Sequence, residues 1–308
     1  MPQPGTRKNS LVGALMLTVC AIVWGSSFAA QSVGAQYVEP FTFISLRSLL
    51  GAVTLLPVIA LRTKAQKKDP SFKEKRAEEK QWLPKGGLVC GIVLSAASLL
   101  QQFGIDRGTA SGKAGFITAL YILMVPIFSV VLRKRIRPVI WPCAVTSLVG
   151  LYLLCVNDST VQPSDGFVLA CAVMYAIHIL VIDHVSPHVD GVRLSCVQFF
   201  VAGVLSAGPM LLTEDVSFDL IKSAAVSIVY SGVMSSGVAF TLQILGQQRT
   251  EPTVATMIMS LESVFAMLTG MVLLHEMPTA KETVGCVLMF AAIIVAQWPE
   301  KKAKTMEN

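Results

Sequence analysis

The chain has 308 residues, of which 53% are apolar or aromatic and only 14% are charged, with a mean hydropathy of +0.63 and a formal net charge of +6. An ordinary globular domain is nearer a quarter charged, so there is too little polar surface here to keep the chain in water. The same figures exclude a disordered chain, a collagen-like chain and a secreted disulfide scaffold, which leaves a multi-span membrane protein.

A helical span needs about 20 mostly apolar residues, and ten such runs follow one another. The first, 11–31, sits behind Arg7-Lys8 like a signal peptide. It continues through Trp24 and Phe28 with no small-x-small cleavage site, so it reads as a span. The second, 42–61, carries Arg47 about 9 Å below its outer end at 1.5 Å per residue. Next comes 62–85, with 13 charged residues, expected to be a basic cytoplasmic loop that fixes topology and touches anionic head groups. Spans follow at 87–105, 114–132, 138–156, 166–182, 193–212, 221–243, 253–274 and 282–298, mostly with short connections. Pro126 is expected to kink the fourth, having no donor and clashing with the preceding turn. The seven cysteines lie singly inside apolar runs, with no metal-ligand or C-x-x-C spacing, and read as small packing residues.

Orientation follows the lysines and arginines. With the N-terminus inside, 20 of the 25 fall in the segments 1–10, 62–85, 133–137 and 301–304 and at Arg193 and Arg249; four fall outside, and Arg47 alone is within a span. Both termini are therefore expected in the cytoplasm, in a cell inner (plasma) membrane. The basic excess lies where topology puts it, so nucleic-acid binding is not the reading.

A shift of 151 positions lays the first two spans on the sixth and seventh without a gap. Ala21-x-x-Trp24-Gly25 falls on Ala172-x-x-Tyr175-Ala176, Val38-Glu39 on Val189-Asp190, and Arg47 on Gln198. Five spans per copy is an odd number, so the second copy enters the membrane inverted. The basic turn Arg133–Arg137 against the turn His275-Glu276-Met277-Pro278-Thr279 agrees with this. The expected fold is all-α: ten transmembrane helices in two inverted five-helix repeats, 11–156 and 166–298, flanked by tails 1–10 and 299–308. Inverted repeats are a recurring plan of secondary transporters, in which two halves open a central site alternately to each side.

Several motifs resemble those of the drug/metabolite transporter superfamily, specifically EamA-like ten-span permeases. They are Trp24-Gly25-Ser26-Ser27, Arg47, the stretch Ser111–Tyr121 with Val125-Pro126 after it, Ser260-Leu261-Glu262-Ser263-Val264, and the pair Glu276…Gly285. The resemblance covers residues 11–298 and implies transport of a small organic metabolite. Where members of that family usually have proline after the glutamate of the ninth span, this chain has Ser263, which leaves the local helix bend open.

Ionisable residues at membrane depth are costly and are functional candidates by default. Arg47 suits an anionic cargo group or a carboxylate, against a structural ion pair or snorkelling. Glu262, far from either surface, is a candidate proton carrier, against a glutamate that merely locks helices together. His178 is a candidate cargo contact, against a histidine bonded to a neighbouring helix. Gln102 ends the stripe Gly87, Gly91, Ser95, Ser98 and leans toward cavity lining; the serines at 223, 227, 231 and 235 favour helix packing. Trp24 and Tyr121 are candidates for stacking on cargo, against core or interface anchors.

The resulting expectation is a secondary transporter of small organic metabolites such as amino acids or drugs, exporting by alternating access around a central cavity. Protons are the candidate coupling ion. The alternative is an uncoupled channel or facilitator, or a membrane sensor on a transporter-like fold. No converging nucleophile, base or H-E-x-x-H helix points to an enzyme, no G-x-x-x-x-G-K-[ST] loop points to ATP use, and no cofactor or metal is expected.

Overall fold

The computed structural model describes residues 7–155, 161–265, 267–268 and 279–298. The end of the expected ninth span, the turn with His275 and Glu276, and the tails 1–6 and 299–308 lie outside them. Among the described residues the chain is entirely helical. Eight helices are long and apolar enough to cross a membrane, and two shorter apolar ones are Ile140–Cys155 and Pro252–Phe265.

α1 (Arg7–Gly34) and α2 (Pro40–Gln66) are joined by a short turn. Pro40 opens α2 at a position where its missing N–H costs nothing. Glu39 does not cap the helix. The free N–H groups of Phe41 and Thr42 are taken instead by the Glu214 carboxylate at 2.7 and 2.6 Å.

α3 (Phe72–Asp106) has 35 residues, about 52 Å at 1.5 Å per residue and longer than a hydrocarbon core. The expected loop 62–85 is therefore mostly helix, formed by the last turn of α2 and the first turns of α3 around a turn at 67–71. Its lysines, glutamates and arginines are good helix formers. Hydrogen bonds from the Ser71 amide and hydroxyl, and then Lys75, hold the Asp69 carboxyl down at about 2.

Next come α4 (Ser111–Thr118), α5 (Tyr121–Val131), α6 (Ile140–Cys155), α7 (Asp165–Val185) and α8 (Gly191–Thr213). Asp190 caps α8 by accepting from the amides of Val192 and Arg193. The chain continues through α9 (Phe218–Ser223), α10 (Ala225–Tyr230), a π-helix over Ser231–Ala239, α11 (Phe240–Gln247), α12 (Pro252–Met259) and α13 (Ala280–Gln297). A Thr279–Glu282 capping box opens α13.

α2 packs on α8, α3 on both α7 and α8, and α6 on α13. The α6–α13 contact is a backbone approach: a Cβ on Gly150 would come within 2.6 Å of the Gly285 carbonyl oxygen. The Gly87–Gln102 stripe of α3 is likewise a packing face, since a Cβ on Gly87 would meet Val197 at 2.5 Å and one on Gly91 would meet Val201 at 2.5 Å. Leu61, Val131, Leu212 and Val226 are among many large apolar side chains left exposed, as expected where lipid rather than water is the solvent. All seven cysteines are free thiols, buried or half-buried.

Candidate functional site

α4 and α5 lie in one apolar segment interrupted midway. At the interruption the Leu120 N–H reaches the Ile117 carbonyl, and the Ile122 N–H reaches the Ala119 carbonyl, each one residue short of α-helical register. The same step recurs after α12, where the Leu261 N–H reaches the Ile258 carbonyl and the Ser263 N–H reaches the Ser260 carbonyl. These two pairs of bonds superimpose at a shift of 141 residues. Tyr121 follows the first and Glu262 the second.

Tight turns inside a helix tend to mark functional hinges, and interrupted apolar helices at corresponding places in two halves point to a binding site. Neither step holds glycine or proline. Pro126 sits inside α5, past the interruption, and the step before Ser263 forms without proline.

Tyr121 and Glu262 both line a narrow cavity of about 40 Å³. That is room for about three waters and far too little for an organic solute. α1 supplies a wall through Trp24, Ser27, Phe28 and Gln31, whose i, i+3, i+4, i+7 spacing is one helix face. Arg47 enters from α2, Gln101 from α3, Thr118 from α4 and Tyr175 from α7. Ser235 of the π-helix and Phe240 complete it.

Five lining side chains hold a buried polar atom without a partner: Trp24 Nε1, Gln31 Oε1, Arg47 Nε and Nη1, Tyr121 Oη and Glu262 Oε1. Arg47 and Glu262 are 2% and 3% exposed, yet no ion pair joins them. Buried polar atoms are normally satisfied, so such a cluster around a void presents unmet donors and acceptors of both signs to whatever enters.

The structure thus brings together Trp24, Arg47, Tyr121 and Glu262 among the residues singled out from sequence. Gln102 is fully buried outside the lining, with its Nε2 3.5 Å from the Gln31 carbonyl; its neighbour Gln101, 100° round the helix, faces the cavity. His178 is fully buried too, 3.1 Å through Nε2 from Gln198 Oε1. Tyr175 was legible as the repeat partner of Trp24. Ser27, Phe28 and Gln31 were legible as one face with Trp24. Phe240 and Ser235 were not, because the π-helix changes the register on which the serine spacing relied.

At the basic end, charged side chains are paired with one another. Glu79 Oε2 accepts from Arg193 Nη1 at 2.6 Å and from Arg76 Nη1 at 2.7 Å. Arg193 also donates to Thr63 and Gln66, and Asp190 accepts from Arg62 and Gln66. Lys134 pairs with Asp183 at 2.5 Å. A different set of segments meets where Lys113 pairs with Asp165 and where Arg107 lies over Phe103 and Phe167.

A model of the EamA-like transporter family matches residues 11–156 and again 162–297. The chain belongs to that family. It is 28% identical to an uncharacterized transporter of Archaeoglobus fulgidus over 92% of this chain and 85% of that one. It is also 22% identical to the uncharacterized transporter YwfM of Bacillus subtilis over 96% of each. A solved crystal structure shares the fold at a TM-score of 0.74 and 19% identity, over 95% of this chain and 97% of that one. Membership in this family, with several membrane-crossing helices, makes the protein a multi-pass membrane transporter.

Proposed function

We propose that the protein is a secondary transporter that moves a small organic solute by alternating access between two inverted five-helix halves, with export as its direction. The observation that carries this reading is the pair of matched helix steps, 141 residues apart, that deliver Tyr121 and Glu262 to one cavity. Two copies of the family model support the duplication. The inversion is supported by how contacts sort the connections. Segments around 62–79, 134, 183 and 188–193 touch one another, while those around 39–42 and 214–215, and those around 109–113 and 164–165, touch in separate sets. The first group is the basic one and faces the cytoplasm of the inner membrane, together with both termini.

A cavity this small holds no organic solute, so transport requires the halves to part. Arg47 supplies a cation for an anionic group of the cargo, Glu262 a carboxyl group for a cationic group or a coupling proton, and Trp24 with Tyr121 and Tyr175 flat surfaces for an apolar body. The test is flux in liposomes holding the purified protein, against a panel of amino acids and other metabolites. Flux of one class, lost in Arg47→Met and altered in Glu262→Gln, is expected; no flux of any solute from folded protein overturns the reading.

A further inference from the structure

Phe240 is part of the cavity wall. It lines the cavity on one side, packed on Trp24 at 4.7 Å between ring centroids, and on the other side touches His178 at 6.3 Å. Behind it, His178 and Gln198 are both fully buried, and each keeps one polar atom without a partner: Nδ1 of the histidine and Nε2 of the glutamine.

Their mutual bond decides what those atoms offer. Gln198 Oε1 can only accept, so His178 Nε2 carries the hydrogen and the neutral ring leaves Nδ1 as an acceptor. Gln198 Nε2 remains a donor. The pair thus offers one acceptor and one amide donor, both uncharged, which together complement groups that give and take hydrogen bonds. Two orphaned atoms in a packed interior are costly unless another state satisfies them. Phe240 also begins α11 at the end of the π-helix, and π-helical turns gather at functional sites.

We infer that His178 and Gln198 form a second, uncharged polar subsite behind a Phe240 gate, taking a hydroxyl or carboxamide group as the cavity opens. Its ligand rests on the transport reading; its access does not, and the two are tested separately.

Access is read on the full-length protein with diethyl pyrocarbonate, which modifies a bare imidazole nitrogen, and located by mass spectrometry. In the wild type, His178 is expected to react far less than the partly exposed His188. In Phe240→Ala, and in the milder Phe240→Leu should the first fail to fold, His178 is expected to rise toward the extent reached at His188. If His178 stays protected in a folded Phe240 variant while His188 reacts, the gate is overturned.

The ligand class is read in the flux panel with Gln198→Leu. Solutes bearing a hydroxyl or carboxamide should lose about tenfold relative to apolar ones of the same size, the worth of about one hydrogen bond. An equal change across both classes overturns the assignment while leaving transport itself standing.

Discussion

At the basic end, one oxygen of Glu79 takes two guanidinium groups, and Nη2 of Arg193 donates to both Thr63 and Gln66. In the central cavity, Arg47 is as deeply buried as Arg193 but has neither a carboxylate nor a hydroxyl to donate to, and no ion pair joins it to the buried Glu262. Both regions pay to bury charge. Only the first recovers that cost within the chain, so the first is read as architecture and the second as a site held ready for something else.

Removing a partner should separate the two regions most sharply at Glu79. Glu79→Ala leaves Arg193 buried and unpaired, and is expected to cost about 3–5 kcal/mol, seen as a large fall in melting temperature in detergent. Arg47→Met should do the opposite. It removes an already unpaired charge, so melting temperature holds or rises, while flux drops about tenfold or more with the loss of a charged hydrogen bond to cargo. Equal destabilisation by both variants would erase the distinction.

Glu262→Gln sharpens the comparison inside the cavity. It keeps the shape and one acceptor but cannot exchange a proton, so melting temperature is expected unchanged and the pH dependence of flux to vanish. A mutant with the wild-type pH profile removes Glu262 from coupling.

The smallest effect concerns Asp190. Burial works to raise its carboxyl, but hydrogen bonds from Gln66 and the charge and bond of Arg62 outweigh this and hold it below the usual carboxylate range. A depressed carboxyl contributes its stability in full above the ordinary value of about 4, and that contribution fades as pH falls through the lower native value. Melting temperature should therefore decline on the acid side of pH 4. Asp190→Ala should cost about 1 kcal/mol of stability at neutral pH, the worth of a helix cap, and flatten that acid limb.

Much of the architecture was legible because lipid leaves few options. Every backbone polar group must be paired inside the bilayer, so apolar runs of about 20 residues can only be helices, and the runs around Trp24, Arg47 and His178 fold as read. Length alone misled at 62–85, where charge suggested a loop but helix-forming residues extend α2 and α3. Four cavity-lining residues were also legible, Arg47 and Glu262 because charge at membrane depth is rare, Trp24 and Tyr121 because they sit in the motifs.

The chain's own letters settled that it lives in a membrane, that it is built twice over, and that Arg47 and Glu262 are buried charges. Tertiary packing alone decided that Gln101 rather than Gln102 looks into the cavity, that Phe240 stands between it and His178, and that Arg47 and Glu262 share a void without touching. Periodicity fixes which residues lie on one face of a helix, but which face meets a neighbour depends on close approaches such as Gly87 against Val197 and on breaks at Leu120 and Leu261. No local residue preference encodes those breaks, because they are set by helices arriving from elsewhere in the chain.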